Sequence, residues 1–352
     1  MTTCCTSYRR LLSGDAHGPG PALARAGLRA LSVPYGWAVS LRDMARNGDA
    51  VSVGLPVISV GNLTAGGTGK TPVVALVVSE LKKRGRRPVI LSRGYAARDG
   101  EPNDEARVLS KAHPDVLHLQ GKDRLALARH AADSKLGDVI VLDDGFQYLA
   151  LERQLNICCI DATNPFGYGA VLPRGLLREP LSALYRARPV LITRAEQSTP
   201  ARLAEIRSEV LRWNAHARFV VSEMRCVATT DVRGGGRAEP SELAGKRVLC
   251  VSGVGNPDAF AANVRMLGAR VAAAVDFDDH HDWTQDDVKA VVARAREVAA
   301  EAVVTTSKDA VKLAALSWPE SAPPVRVLEV EATITGDTAA WGKLLDEALA
   351  RA

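Results

Sequence analysis

With 352 residues, 47% of them hydrophobic and 5% aromatic, the chain is long enough for two domains and too apolar to be disordered, and its core must be mostly Ala, Val and Leu. A formal net charge of +5 suits an anionic substrate or surface and is too small to point to nucleic acid. The six cysteines form no C-x-x-C pair and no zinc spacing with histidine, which sets zinc modules aside and leaves reduced cytosolic thiols as the expectation. No segment is long and apolar enough to cross a bilayer, and the N-terminal residues lack the uninterrupted apolar run of a signal peptide.

Residues 1–18 are polar and read as loose. Residues 19–46 read as helix, break, helix, with Pro34 and Gly36 as the interruption. Leu23, Ala26, Ala30 and Leu31 share one face, with Arg25 and Arg29 on another. Trp37, Leu41 and Met44 form a second apolar stripe, with Arg42 and Arg46 opposite. Residues 1–50 carry six arginines against three aspartates, most of the chain's excess charge. Two readings stay open for this stretch: a basic amphipathic helix lying on an anionic membrane, or a terminal helix packed on its own domain.

From residue 56 the pattern changes to short β-rich runs alternating with helical stretches. Strands are predicted over 56–60, 87–91, 138–142, 155–160, 189–193 and 218–222, with helices over 70–84, 122–135 and 201–213. This alternation predicts a parallel α/β sheet. Residues 231–240 contain three consecutive glycines and a proline and read as a linker. A second α/β set follows, with strands over 247–251, 270–275, 302–305 and 325–330, and helices over 258–267, 284–299 and 338–350.

The chemistry concentrates at the ends of these strands. The run from Gly61 to Thr71 ends in Thr64-Ala65-Gly66-Gly67-Thr68-Gly69-Lys70-Thr71, between a strand and a helix. Glycines let backbone N–H groups surround phosphate oxygens, and the helix N-terminus adds positive potential. Lys70 brings a charge to the β- and γ-phosphates, and the Thr71 hydroxyl can ligate Mg²⁺. Thr64 stands where the G-x-x-x-x-G-K-[ST] pattern has its first glycine. Ala65 stands where partition-type ATPases carry a signature lysine. A second apolar strand ends in Asp143 and Asp144, carboxylates suited to holding Mg²⁺ beside such a loop. Arg93 and Tyr95, in Ser92-Arg93-Gly94-Tyr95, follow the second strand, where α/β folds bind ligands. A further charged loop runs from Pro173 to Pro180 and holds Arg174 and Arg178. Asn103-Asp104-Glu105 reads as an ordinary polar turn. Adjacent His280 and His281 sit among Asp278, Asp279 and Asp282, pointing in different directions on any regular element.

Taken together, the motifs resemble the tetraacyldisaccharide 4′-kinases, the lipid A 4′-kinases of outer-membrane bacteria. The carrying segments are G-N-L-T-A-G-G-T-G-K-T (61–71), S-R-G-Y (92–95), D-D-G-F-Q (143–147), L-P-R-G-L-L-R-E (172–179), G-V-G-N-P (253–257), D-H-H (279–281) and T-T-S-K-D-A-V-K (305–312), in the family's order. The resemblance implies a P-loop NTPase-type parallel sheet domain (51–230), a linker (231–245), a second, smaller α/β domain (246–352) and an N-terminal amphipathic membrane-associating segment (1–50). It tips the open reading of residues 19–46 toward membrane contact, at the cytoplasmic face of the inner membrane. It implies transfer of the γ-phosphoryl of ATP, with Mg²⁺, to the 4′-hydroxyl of a tetraacylated disaccharide 1-phosphate, with no nucleic acid and no obligate protein partner.

By the same resemblance Asp104 is the catalytic acid-base residue, paired with His280, and Arg93, Tyr95, Arg174, Arg178 and His281 face the substrate. The chain departs from the family pattern at Asn103 and Ala106, where Gly and Pro are usual, at Tyr148 for His, and at Ser307 for Glu. Closure of the two domains is expected to bring His280 to Asp104. The competing readings are a P-loop kinase for a soluble acceptor and a switch ATPase that transfers phosphate only to water.

Overall fold

The computed structural model describes residues 4–45, 50–94, 102–234 and 236–351, so Tyr95 lies outside the described residues. Helices α1 (Cys4–Ser13) and α2 (Pro19–Ala45) come first. Then follow β1 (Val57–Asn62), α3 (Lys70–Lys83), β2 (Pro88–Ser92), α4 (Asp104–Ala112), β3 (His118–Gln120), α5 (Arg124–Asp133), β4 (Val139–Asp143), β5 (Leu155–Asp161), β6 (Val190–Thr193), α6 (Pro200–Trp213) and β7 (Phe219–Asp231). The remainder is β8 (Arg247–Ser252), α7 (Pro257–Met266), β9 (Arg270–Asp276), α8 (Gln285–Glu297), β10 (Ala302–Thr306), α9 (Ser307–Leu313), β11 (Val325–Thr335) and α10 (Thr338–Leu349). The chain folds into two compact units. The larger takes the described residues of 8–94, 109–224 and 332–351. The smaller takes 102–108 and the described residues of 225–331, with residues 4–7.

In the larger unit the strand order is β3-β2-β4-β1-β5-β6-β7, and every pairing is parallel. Parallel strands covered on both faces must be apolar along their length, and β1, β4 and β5 are buried from end to end. One face packs Val57, Val89, Leu91, Ile140 and Leu142 against Ala128 and Ala131 of α5. Further along the same face, Cys158, Ile160, Val190 and Ile192 pack with Phe146 against Ile206 and Val210 of α6. Cys158 and Cys159 are free and buried; burial pushes the Cys159 thiol up to about 12, so it serves as a small hydrophobe. The smaller unit has parallel strands in the order β11-β10-β8-β9. Its core is formed by Leu249, Val251, Val303 and Val327 under Val291, Ala295 and Trp283.

Five local features differ from the sequence reading, each for a visible reason. Residues 4–13 are helical, with Leu12 buried and the Tyr8 hydroxyl donating to Pro173 O at 2.7 Å. Helix α2 runs unbroken through Pro34. Proline removes one helical donor, but side chains fasten this helix from outside: Ser32 to Val171 O at 2.9 Å, Tyr35 to Arg178 O at 3.0 Å, and Arg42 to Glu179 at 2.9 Å. Asp104 opens a helix instead of lying in a turn. The Asn103 side chain accepts the Ala106 N–H at 3.0 Å, an N-cap that uses the departure at 103. The segment 231–240 lies within the smaller unit, because Thr229 and Ala238 exchange backbone hydrogen bonds of 2.9 and 2.8 Å across it. Helix α10 groups with the larger unit, where Asp346 pairs with Arg84 at 2.8 Å.

Candidate active site

The phosphate loop sits between β1 and α3. Gly69 takes φ 78° at the N-cap of α3 and Gly66 takes φ 103°, conformations that other residues adopt only with strain. Its first half is tied to the 171–179 loop: Ala65 N–H donates to Leu176 O at 2.6 Å, Thr64 bridges to Leu177, and Arg178 N–H donates to Leu63 O at 2.7 Å. The Lys70 ammonium donates to Asn62 Oδ1 at 3.1 Å and lies 3.3 Å from Asp144. Gln147, from the D-D-G-F-Q segment, donates to Asn62 O at 2.8 Å. The Thr68 hydroxyl is buried and has no hydrogen-bond partner among the described residues. A buried donor of that kind, beside a lysine and a helix N-terminus, fits a polyphosphate.

Strand β4 lies beside β1, with Val60 opposite Asp143, so the two acids emerge where the phosphate loop begins. The turn that carries them crosses β1 closely: a Cβ on Gly61 would meet Phe146 N at 2.5 Å. Asp144 adopts φ 50°, and its carboxylate lies 2.8 Å from Arg178 and 3.3 Å from Lys70. Burial works to raise its pKa, but Lys70 and Arg178 outweigh it and hold the carboxyl well below the usual range. Asp143 is buried at the end of β4. The Thr71 hydroxyl in the first turn of α3 and these two carboxylates are hard oxygen donors of the kind Mg²⁺ takes. Among the described residues no group of three or more His, Cys, Asp or Glu side chains converges on a point, so such an ion would draw its remaining ligands from phosphate oxygens and water.

The smaller unit holds a second constellation. Asp104, the first residue of α4, lies 2.8 Å from Lys312 Nζ and 3.5 Å from His280 Nδ1. The expectation that domain closure brings His280 to Asp104 is therefore corrected, since both belong to one unit and already adjoin. Burial tends to raise the Asp104 pKa, while His280, Lys312 and Lys308 more than offset it, so the carboxyl sits below its usual range. His280 adopts φ 65°, and its Nε2 faces Lys308 Nζ at 3.2 Å. Lys308 also donates to Asp279 at 2.7 Å. His281 points elsewhere, as adjacent residues on a turn should. Its Nε2 meets Asp287 at 3.0 Å, and its ring lies 4.6 Å from that of Phe277. Asp287 in turn caps α8 through Thr284.

The residues expected to face the substrate thus separate. Arg178 joins Lys70 and Asp144. Arg93 is exposed after β2, within electrostatic reach of Arg124. Arg174 turns to the N-terminal helices, donating to Leu12 O at 3.0 Å, near Arg25 and Arg29. His281 is committed to Asp287. Two residues escaped the sequence reading. Arg124, buried at the start of α5, donates to Asp144 O at 3.2 Å and lies over the Tyr148 ring at 4.1 Å. The Tyr148 hydroxyl accepts the Leu125 N–H at 2.8 Å, which gives the departure at 148 a local role. Lys312 was visible only as the end of a motif. The Ser307 departure is absorbed by a hydrogen bond to Leu328 O at 2.9 Å.

Comparison with known proteins bears on the whole chain. The family model described as LpxK, tetraacyldisaccharide-1-P 4′-kinase, matches residues 24–350. The tetraacyldisaccharide 4′-kinase of Anaeromyxobacter sp. (strain K) is 40% identical over 357 aligned positions, covering 95% of this chain and 94% of that protein. The protein of the same name from Geobacter metallireducens is 40% identical over 312 positions, covering 83% and 89%. Among solved structures, LpxK from Aquifex aeolicus in complex with ATP superposes with a TM-score of 0.68 at 25% identity, covering 93% of this chain and 99% of that one.

Proposed function

The chain belongs to the tetraacyldisaccharide-1-phosphate 4′-kinase family, and from that premise we propose that it transfers the γ-phosphoryl group of ATP to the 4′-hydroxyl of a tetraacylated glucosamine disaccharide 1-phosphate. A phosphate loop alone is shared with ATPases that use water. The observation that carries the kinase reading is Asp104, an ionised carboxylate held between Lys312 and His280.

In this reading the backbone from Thr64 to Thr71 and the Lys70 ammonium hold the β- and γ-phosphates. Arg178 adds a second charge, drawn from its present partner Asp144. Thr71, Asp143 and Asp144 would hold Mg²⁺, which when bound neutralises charge on the transferring phosphoryl group. Asp104 accepts the proton of the sugar hydroxyl, and His280 orients that carboxylate. Catalysis is mostly positioning and charge stabilisation. Arg93 and Tyr95 remain assigned to the sugar. Arg174 is assigned to the lipid-facing side, with Arg25 and Arg29, and His281 to bracing the D-H-H turn through Asp287.

Helix α2 supports a peripheral site on an anionic membrane, at the cytoplasmic face of the inner membrane. Trp37, Leu41 and Met44 are exposed along one stripe, while Ser32 and Val39 face inward. No helix among the described residues is long and apolar enough to cross a membrane.

The test is direct. The protein is incubated with ATP, Mg²⁺ and tetraacyldisaccharide 1-phosphate in detergent, and the lipid is analysed by mass spectrometry. A bisphosphorylated product is expected, with Asp104→Asn lowering kcat by about 10²-fold or more. Phosphorylation of soluble sugars with none on the lipid would overturn the reading.

A further inference from the structure

The phosphate loop is gripped from one side by Thr193, which ends β6, and by Arg194, which follows it. Thr193 is buried, and its hydroxyl donates to Thr68 O at 2.9 Å. Arg194 donates from Nη1 to Gly67 O at 2.9 Å and pairs through the same atom with Asp161, at the end of β5. Asp161 is itself held by the Thr163 N–H at 3.0 Å and hydroxyl at 2.7 Å. Arg194 adopts φ 55°, an uncommon conformation for a residue that is neither Gly, Asn nor Asp. A third contact closes the same side: a Cβ on Gly69 would meet Met224 Cε at 2.6 Å and Thr193 Cβ at 3.8 Å.

We propose that Thr193 and Arg194 are positioning residues for nucleotide binding, which turn the Gly67 and Thr68 carbonyls outward so that the loop presents amide hydrogens, and not carbonyl oxygens, to the phosphates. In a planar trans peptide the C=O and the following N–H point in opposite directions. Drawing Thr68 O toward Thr193 therefore sends the Gly69 N–H to the opposite side of the loop. Drawing Gly67 O toward Arg194 likewise fixes the Thr68 N–H of that same peptide, which closes a tight turn on Gly66 O at 3.1 Å. A glycine-rich loop has little stiffness of its own, and a carbonyl flipped inward would repel a phosphate oxygen. Two carbonyls pinned by side chains at the C-terminal end of β6 remove that freedom before the nucleotide arrives. The Arg194 charge is matched by Asp161, so its role is geometric rather than that of a phosphate ligand.

This inference rests on residues 64–71 being the nucleotide site. The experiment measures ATP affinity by isothermal titration, KM for ATP, KM for the lipid and apo-protein melting, on the full chain. Thr193→Val removes the hydroxyl at nearly constant shape, and Thr193→Ser restores it. Arg194→Met alone strands buried Asp161, so it is made together with Asp161→Asn. Expected is a rise of about tenfold or more in ATP Kd and KM for Thr193→Val and for the double variant. The lipid KM should stay within twofold, and Thr193→Ser should bind ATP as wild type does. A folded Thr193→Val with wild-type ATP affinity overturns the proposal, whatever the double variant does. Wild-type protein that binds ATP but leaves the lipid unphosphorylated would count against the proposed reaction and not against this role.

Discussion

Lys312 Nζ stands 2.8 Å from Asp104 Oδ2 and also donates to the His280 and His281 carbonyls, at 3.2 and 3.0 Å. One ammonium thus joins the proposed base to the D-H-H turn, using its three donors on three partners. The consequence is a pH dependence with a definite sign. Burial by itself would raise the Asp104 pKa, and His280 and Lys312 reverse that. Wild-type Asp104 is therefore ionised through the neutral range, and the base form is lost only as pH falls through a depressed pKa. Lys312→Met removes one of the three groups, His280, Lys312 and Lys308, that hold it down. The acid limb of the kcat/KM profile should move to higher pH, with Lys312→Arg closer to wild type. Superimposable acid limbs for Lys312→Met and wild type would remove Lys312 from this role.

Asp144 occupies Lys70 and Arg178, two cations that the proposed mechanism gives to phosphate. Asp144→Asn should therefore act in opposite directions on two measurements. Metal-free ATP should bind more tightly, because an internal anion no longer competes for both cations. Turnover should fall, and the Mg²⁺ concentration for half-maximal rate should rise, because a hard oxygen ligand is lost. Titrations with EDTA and with excess Mg²⁺ separate the two effects. Weaker metal-free binding would show that Asp144 shapes the loop instead of competing for it.

Gly61 and Gly27 give a contrast in stability. A methyl group on Gly61 meets Phe146 N at 2.5 Å and Phe146 Cβ at 2.7 Å, and backbone cannot step aside as a side-chain tip can. Gly61→Ala should cost about 1–3 kcal/mol and displace the turn bearing Asp143 and Asp144, lowering both Tm and activity. Gly27 lies in α2 with nothing within 4 Å of its would-be Cβ. Gly27→Ala should leave activity intact and stabilise by up to about 1 kcal/mol, through helix propensity alone. Thermal melting of the two variants beside wild type decides the point.

The parts of the fold legible in the sequence were those set by local pattern. Val139 to Leu142 is an uninterrupted apolar run bounded by acids, and it forms the buried strand it suggests. Gly66 to Thr71 joins a strand to a helix, as its glycines and Pro72 imply. What escaped depended on partners far along the chain. Asp104 looked like part of a turn because N-D-E is common in turns. Its helix forms on an Asn103 cap, and its charge is set by residues about 180–210 positions later. Pro34 looked like a break because local rules make it one, yet Ser32, Tyr35 and Arg42 hold α2 across it from the 171–179 loop. Arg124 and Arg194 carried no signal in the sequence, since nothing in a single sequence reveals that a guanidinium packs against a carbonyl.

Helix α2 offers the last test. Trp37, Leu41 and Met44 are 71%, 65% and 74% exposed, at spacings of four and three that align them on one side. Exposed side chains of this size contribute little to folding, so their replacement isolates any surface role. At 27 residues the helix is about 40 Å long, enough to lie along a membrane through several turns. Trp37→Glu with Leu41→Glu should abolish flotation with vesicles containing anionic phospholipid, while Tm and ATP affinity stay at wild-type values. Arg25→Gln with Arg29→Gln should weaken flotation at low salt and matter less as ionic strength rises, because the electrostatic part is screened within about a Debye length. Flotation of the Trp37→Glu, Leu41→Glu protein at wild-type levels would move the membrane contact to another surface. A loss of Tm in the same protein would instead make the stripe part of a packed interface, the reading that the helix spacing alone left open.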